Sequence, residues 1–351
     1  TMKKFIFPLV AVLGFAACTP ENDNPMGDVT GGDEIKLTMK SLSIDTRAPF
    51  TGQIAGQNAL LARVLCSDKS DDYTKEVDDR DNGFINFTAA ATNTGFCQFD
   101  GTEIGKFFPQ GVSTVYLCGL YPNPEETFWT NNGTTATCTF DGSDDVMYAP
   151  EVTTVKNGAV GTLAFTHQMT KLEVKVQAAD AASATAWGDI TSLTLTGIQT
   201  EDKAAAAANV NSVATVDLAK GTTSFGTPVA SLPFYGMTDA TTYTNTVVNT
   251  VNTLTLSETP ATNAVAYTIC EAITADGGTD NEFQLAITTE NRTEPTYILV
   301  NLKEAGDADD YSESTAGQSF TVNLTFSATE IFATASVEDW IPQGETDVTV
   351  E

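Results

Sequence analysis

The sequence has only one histidine, which limits the catalytic mechanisms open to it. Any Ser-His-Asp or Cys-His arrangement would have to use His167. Strand alternation places His167 on the same face as Leu163 and Phe165, where a structural, hydrogen-bonded histidine is the commoner case. The sequence also lacks a Gly-x-Ser-x-Gly elbow, a Walker loop and a Gly-x-Gly-x-x-Gly motif. We therefore predict no enzymatic activity and no cofactor.

Basic residues are scarce as well. The 17 lysines and arginines stand against 46 acidic residues, which gives a net charge of -29. A field of this sign repels nucleic-acid phosphates and anionic membrane surfaces. We therefore predict that the protein has no nucleic-acid partner and that its acidic surface keeps it soluble outside the cell.

The acidic residues include no complete metal-binding motif. Residues 78–83 resemble a calcium loop, but their spacing departs from the EF-hand pattern and the glutamate expected at position twelve is missing. We predict a solvated hairpin tip there. Calcium binding at this loop, or at Asp307, Asp309 and Asp310, stays an open alternative.

The apolar run near the N-terminus is too short to span a bilayer. It covers residues 5–17, contains Pro8 and follows Lys3 and Lys4. Small residues then precede Cys18, as in the lipobox of bacterial lipoproteins, where the chain is cut before a lipid-bearing cysteine. We predict that residues 1–17 are a signal peptide and that Cys18 is lipidated. A plain secretory signal is the alternative.

The other cysteines show no Cys-x-x-Cys spacing, so zinc and thioredoxin-like sites are not indicated. Export permits disulfides, and four cysteines of the first half allow three pairings, among which the sequence does not choose: Cys66, Cys97, Cys118 and Cys138. Cys138 shares a strand face with Ala136 and Phe140, which indicates a small core residue. Cys270 lies alone in the second half.

Alternating apolar residues between turn signals dominate the chain. Examples are the segments 112–121, 172–176, 193–196, 283–287 and 320–326. Asn-Gly, Asp-Gly and Gly-Gly pairs lie between such runs, at residues 82–83, 100–101, 132–133, 141–142, 157–158 and 277–278. This pattern predicts an all-β chain of antiparallel sandwiches. Residues 202–208 are alanine-rich and form either one short helix or a loop.

The segment 161–176 is long for one strand, so it is predicted to close one sandwich and run into the next. This places a domain boundary near residue 170, with an N-terminal sandwich over residues 48–170 and a C-terminal one over residues 171–351. Residues 18–47 precede both. Within them, residues 19–33 are rich in Pro, Asn, Asp and Gly and predict a flexible tether.

Two further strands are predicted near the ends of the sequence. The first carries Ile35, Leu37, Met39, Leu42 and Ile44, and a polar loop with Arg47 follows it. A lone arginine in such a loop is accessible to a trypsin-like protease. Near the other end, Val348 and Val350 alternate with polar residues. By pattern alone, an ordinary first and last strand is the favoured interpretation of the two segments.

Several segments, in this order, resemble the fimbrillin family of Bacteroidales, whose members are subunits of protease-assembled pili. They are the lipobox at Cys18, the strand before Arg47, and residues 116–122, 145–149, 163–172 and 337–340. The resemblance implies two transthyretin-like antiparallel β-sandwich domains in tandem, exported as a lipoprotein precursor that is held in the outer membrane by its lipid.

The resemblance also implies how such a subunit assembles. An arginine-specific protease would cut between Arg47 and Ala48, and the N-terminal strand would leave. The C-terminal tail of the next subunit, with Val348 and Val350, would take its place. The partners are then copies of the chain or related pilins in a surface fimbrium that supports adhesion. The tail has few apolar residues, so residues 331–341 are a second candidate for the donor.

The length of 351 residues leaves little room for a third domain, which favours a stalk or accessory subunit over a tip subunit. The competing hypothesis is a monomeric surface lipoprotein that binds a glycan or another ligand. Trp129, Trp187 and Trp340 are far apart in the sequence and indicate no ready glycan platform.

Overall fold

The computed structural model describes residues 35, 37–41, 61–74, 84–89, 97–99, 108, 111–122, 127–159, 161–199, 210–239, 242–259, 261, 263–272, 282–301 and 316–339. All of them belong to one compact unit, Asp33–Glu351. Within this part of the chain the secondary structure is strand apart from one short helix, so the predicted all-β class is confirmed.

The strands that precede residue 170 are short to medium in length. In chain order they are β1 (Leu37–Ser41), β2 (Leu61–Ser67), β3 (Phe84–Ala89), β4 (Cys97–Phe99), β5 (Thr114–Tyr121), β6 (Trp129–Asn131), β7 (Thr135–Thr139), β8 (Met147–Val155) and β9 (Gly161–His167).

The second half holds the helix and the remaining strands. They are β10 (Thr170–Ala178), α1 (Ala181–Trp187), β11 (Ile190–Gln199), β12 (Val210–Asp217), β13 (Thr223–Val229), β14 (Leu232–Pro233), β15 (Tyr235–Asp239), β16 (Thr242–Val247), β17 (Val265–Cys270), β18 (Glu282–Thr289), β19 (Thr296–Asn301), β20 (Gln318–Phe326) and β21 (Ile331–Asp339).

These strands form four sheets. The largest has the order β1-β9-β8-β5-β2-β3-β4, and a four-stranded sheet has the order β13-β12-β7-β6. The other two are β16-β15-β17-β10-β20-β21 and β14-β11-β18-β19. Most strand pairs of the described residues are antiparallel, as predicted, but β1 pairs with β9 and β10 pairs with β20 in parallel.

The predicted alternation is present in the buried faces of the strands. In β20, Phe320, Val322, Leu324 and Phe326 are all buried, with less buried residues between them. The segment 161–176 is indeed two strands, since β9 ends at His167 and β10 begins at Thr170. A run of alternating residues therefore identified the buried faces correctly, because side chains on a strand alternate between its two sides.

Two of the predicted turns also lie where strands reverse direction. Gly133, between β6 and β7, has φ +88°, and Asn157, between β8 and β9, has φ +55°. Gly and Asn tolerate these left-handed conformations better than other residues. The pairs at residues 82–83, 100–101 and 277–278 lie outside the described residues.

The core consists of two clusters that meet the seven-stranded sheet from opposite sides. One contains Ile35 and Phe108 with buried residues of β2, β5, β8 and β9. The other begins with Leu65 in β2 and extends to Phe326 in β20, so it includes residues from both halves of the chain. The apolar interior is therefore continuous across residue 170.

One sheet also crosses residue 170. The hairpin of β12 and β13 follows β11 in sequence, yet β12 pairs with β7, as in Ala214 beside Cys138. The limits 48–170 and 171–351 thus cut through a sheet. Two tandem domains with these limits stay a prediction.

The short helix α1 was not predicted. Asp180 is its N-cap, and its carboxylate accepts a hydrogen bond of 2.7 Å from the Ser183 amide. Hydrogen bonds to this carboxylate, first of all from Ser183, lower the pKa of Asp180. Residues 202–208, the proposed helix or loop, lie outside the described residues. In the described part of the chain, no helix has the length and hydropathy needed to cross a membrane.

Candidate functional site

The strand β1 stands at the outer end of the seven-stranded sheet. Its neighbour there is β9, with Leu37 beside Gly161, Met39 beside Leu163 and Ser41 beside Phe165. Gly161, Leu163 and Phe165 are the buried positions of this part of β9. The register therefore aligns positions 37, 39 and 41 of β1 with the buried positions of β9.

Ile35, just before β1, is buried in the interior beneath this edge. Only 2% of its surface is exposed, and it packs in the cluster that contains Leu117, Leu163 and Phe165. Full burial of an isoleucine contributes about 1.5–3 kcal/mol to stability. Ile35 thus attaches the segment to the core in addition to the backbone pairing of β1.

The sheet behind β1 is closely packed at two glycines. A Cβ atom at Gly119 would lie 2.5 Å from Cζ of Phe165, and one at Gly161 would lie 2.7 Å from Cγ2 of Val152. The amide of Gly161 also donates a hydrogen bond of 2.9 Å to Oγ1 of Thr154. The strands β5, β8 and β9 are therefore closely packed, so the sheet edge to which β1 pairs is rigid.

His167 lies at the end of β9 and contacts a buried carboxylate. Its Nδ1 atom is 2.9 Å from Oδ2 and 3.0 Å from Oδ1 of Asp145, and both residues are buried. The predicted position on the face of Leu163 and Phe165 is confirmed by the burial of all three residues. The pair joins the start of β8 to the end of β9, which is a structural use of the imidazole.

This pair leads to a prediction about stability. His167→Gln should lower the free energy of unfolding by about 1–3 kcal/mol, because it weakens the contact to a carboxylate that stays buried. Adding Asp145→Asn should recover part of this loss, since an amide needs less compensation than a charge. Urea titrations of the two single variants and the double variant measure the coupling. Strictly additive losses would contradict a direct interaction.

The loop between β7 and β8 carries a carboxyl group with a shifted pKa, that of Asp144. Burial, followed by the charge of Asp141, raises the pKa of Asp144 to about 7. The loop also contacts the second half of the chain, because the Gly142 carbonyl accepts a hydrogen bond of 2.8 Å from the Ile269 amide. A carboxyl with a raised pKa thus lies in a loop that contacts the second half of the chain.

The last described strand, β21, is the outer strand of the six-stranded sheet. It pairs with β20 along its full length, from Ile331 beside Phe326 to Asp339 beside Gln318. Ile331, Ala333 and Ala335 pack against the core, whereas Phe332 is 52% exposed. Within one subunit, residues 331–339 are therefore already part of a sheet, and their role as a second candidate for the donor stays a prediction.

Several predicted site residues fall outside the described part of the chain. They are Cys18, Leu42, Ile44, Arg47, Ala48, Val348 and Val350. Leu37 and Met39 are described as strand positions only. The two acidic groups considered for calcium also lie outside the described residues. Among the residues that are described, no group of ligands is suited to a metal ion.

Four cysteines of the described segments are buried, namely Cys66, Cys118, Cys138 and Cys270. Burial raises the pKa values of the last three. Cys138 lies on the buried face of β7 with Ala136, as predicted. No disulfide pairing among these four is present in the structure, and they behave as small core residues.

Comparison with known proteins identifies the family. The family model described as fimbrillin-like matches residues 46–340, so the chain belongs to the fimbrillin-like family. No curated protein matches the sequence. Family membership supports a pilin or adhesion role at the cell surface, in assembly with other pilin subunits, and suggests a structural protein that is not an enzyme.

One solved structure shares the fold at a TM-score above 0.5, and two others are more distant. A candidate cell adhesion protein from Bacteroides uniformis is 18% identical, with 88% of this chain and 98% of that chain covered and a TM-score of 0.51. A candidate cell adhesion protein from Bacteroides ovatus is 13% identical, with coverages of 90% and 100% and a TM-score of 0.48. A fimbrial protein from Bacteroides vulgatus is 13% identical, with coverages of 87% and 99% and a TM-score of 0.36.

Proposed function

We propose that this protein is a stalk or accessory subunit of a surface fimbrium, and that subunits join by exchange of the strand at the β1 position. The single observation that carries the proposal is the place of β1 at the outer end of a sheet, next to β9. An outer strand leaves by breaking one ladder of hydrogen bonds, and the rest of the sheet stays paired.

The edge left by β1 suits another strand. Backbone groups of β9 that pair with β1 would become free, and the space held by Ile35 would open beside Leu163 and Phe165. An open edge with an apolar floor favours addition of an extended segment, in which backbone pairing gives affinity and alternate side chains give register. The segment proposed for this place is the tail of another subunit, with Val348 and Val350 facing the floor.

The proposed trigger is cleavage after Arg47 by an arginine-specific protease. Before cleavage, the covalent link keeps β1 at a high local concentration near β9, so another chain competes poorly. After cleavage that advantage is lost and the strand dilutes away. Head-to-tail addition of the next tail does not close on itself, so repeated addition yields a filament.

Export completes the proposal. Lipidation at Cys18 would hold the precursor at the outer membrane before processing, and cleavage after Arg47 would release the fimbrial subunit from that anchor. The monomeric ligand-binding lipoprotein is the competing function. It requires neither cleavage nor a free tail, so the two functions give opposite results in an assembly experiment.

Hydrogen exchange of the purified precursor tests whether β1 is in place before cleavage. We expect slow exchange of the amides of residues 37–41 in the intact chain, because they pair with β9. After cleavage, the amides of β9 should exchange faster in the monomeric fraction. Fast exchange throughout residues 35–44 of the uncut precursor would contradict the proposal.

A further inference from the structure

The second sheet over the N-terminal core is built from two distant parts of the chain. Its strands β6 and β7 have only three and five residues. The other two strands, β12 and β13, come from residues 210–229, after the chain has already formed β10 and β11. Two short strands alone make a marginal sheet, and three or more are needed to cover an apolar face. We name residues 210–229 the crossing hairpin.

The crossing hairpin buries apolar surface. Val210, Ala214, Val216 and Leu218 each have at most 1% of their surface exposed. They belong to the same cluster as Leu65, Cys118, Leu120 and Tyr148, which line one face of the seven-stranded sheet. The hairpin thus covers the face opposite to the one on which Ile35 packs.

Polar contacts fix the hairpin to the N-terminal strands. The Tyr148 hydroxyl donates a hydrogen bond of 2.5 Å to the Leu218 carbonyl, and the Phe140 amide donates one of 2.8 Å to the Ser212 carbonyl. The Oγ1 atoms of Thr137 and Thr215, paired across β7 and β12, are 3.2 Å apart. Backbone pairing, side-chain contacts and burial therefore all act between the hairpin and strands that precede residue 170.

The hairpin is also bonded to the second half of the chain. Nδ2 of Asn211 donates a hydrogen bond of 2.6 Å to Oε2 of Glu271, which directly follows β17. The Thr223 hydroxyl donates one of 2.9 Å to Oε1 of Gln168, which lies between β9 and β10. The crossing hairpin is thus attached to both halves and to the link that joins them.

We propose that the crossing hairpin is a clamp that keeps the N-terminal sandwich folded while the β1 position is empty. The inference rests on the proposed function in one respect, namely that β1 leaves. Departure of β1 and Ile35 opens the edge at β9 and part of the core on one face of the seven-stranded sheet. The opposite face stays covered by the hairpin, which remains tethered to the C-terminal core. The subunit therefore stays folded after it has lost its own strand and before the strand of another subunit binds.

The two buried tryptophans allow a direct test. Trp129 lies in β6, within the sheet that the hairpin completes, and Trp187 ends α1 in the second half. Both are at most 3% exposed. Two single-tryptophan proteins are made from the full chain, one retaining Trp129 and the other Trp187, with the remaining tryptophans replaced by phenylalanine. Their fluorescence in urea follows the surroundings of each tryptophan separately.

The test compares uncut and cut protein. The loop residues 45–49 are replaced by the recognition sequence of a site-specific protease, so the comparison does not depend on whether Arg47 is the natural site. Mass spectrometry verifies the cut, and size exclusion isolates the monomer without its N-terminal peptide. Failure of native cleavage after Arg47 would count against the proposed function and leave this experiment intact.

Val216→Ala weakens the hairpin by opening a small cavity at a fully buried position. In the cut protein it should lower the urea midpoint of Trp129 by about 1 M and that of Trp187 by less. The shift should be clearly smaller in the uncut protein. The matched control is Val174→Ala in β10, also fully buried, which should lower the Trp187 midpoint more than that of Trp129 and equally in cut and uncut protein.

A second variant strengthens the hairpin and keeps the test decisive if Val216→Ala fails to fold. Thr137→Cys with Thr215→Cys places two thiols at paired positions of β7 and β12. Oxidation should raise the Trp129 midpoint of the cut protein, and a reductant should reverse the rise. Equal shifts for cut and uncut protein in the Val216→Ala pair, or no change of the cut protein on oxidation, would overturn the clamp.

Discussion

Replacing Arg47 with alanine should abolish fibre formation after treatment with an arginine-specific protease, while the unmodified precursor forms fibres under the same conditions. The leaving strand carries five apolar residues, each worth about 1.5–3 kcal/mol when buried. If all five pack in the first sandwich, the strand is held with a free energy on the order of 10 kcal/mol as an upper bound. An uncut strand keeps this advantage and excludes the tail of a neighbour.

The matched control is Arg80→Ala, because Arg80 also lies in a polar, acidic segment of the sequence. This variant should still be cut after Arg47 and should assemble as the unmodified chain does. Electron microscopy counts fibres, and mass spectrometry of the N-terminus identifies the cut. Fibres from intact Arg47→Ala protein would show that assembly does not require cleavage there.

Deleting residues 346–351 should separate cleavage from growth. The shortened chain keeps its N-terminal strand and Arg47, so it should be cut at the normal rate. It has no tail to offer, so it should remain monomeric or add once to the end of a normal fibre. Normal fibres made in its presence should therefore become shorter. Long fibres of the shortened chain alone would move the donor role to another segment.

Substitutions within the tail distinguish register from mere length. Val348→Asn with Val350→Asn should reduce fibre growth strongly, because the apolar positions that face the floor are lost. Asp347→Asn with Thr349→Asn alters the same number of residues on the opposite side of the strand and should be tolerated. Equal effects of the two pairs would indicate that backbone pairing alone determines affinity.

The strand pattern was predictable because alternation is a local property of the sequence. The runs that became β10, β18 and β20 each place apolar residues on every second position, and all of these are buried in the structure. In β10, Lys171 and Glu173 are buried as well. The structural role of His167 followed in the same way from its neighbours Leu163 and Phe165. Its contact with Asp145 could not be predicted in this way, because alternation indicates which face of the strand a residue lies on and not which residue it contacts.

Strand partners were not predictable, because pairing depends on distant segments. The sequence of β12 alternates like any half-buried strand, and nothing within it specifies β7 as the neighbour. The parallel pairing of β1 with β9 is hidden for the same reason. The boundary near residue 170 was placed on chain continuity, and the chain does pass there from β9 to β10, but a sheet crosses back over it.

The sequence before helix α1 contains a capping signal that the prediction did not use. Asp180 precedes an alanine-rich segment, which is the ordinary composition of an N-cap and first turn. Alanine-rich residues 202–208 drew the helix prediction instead. Composition alone does not distinguish a short helix from a short loop, whereas a capping side chain followed by alanines indicates a helix.

A cross-link between subunits tests the central claim of strand exchange most directly. One protein carries Thr162→Cys in β9, where the side chain is exposed beside the β1 position, and a second carries Thr349→Cys in the tail. The two are mixed, cut after Arg47 and oxidised gently. Strand exchange predicts a disulfide-linked pair of residues 162 and 349 in fibres, and none before cleavage. Fibres that form after cleavage without this cross-link, but with residues 37–41 still bound, would contradict it.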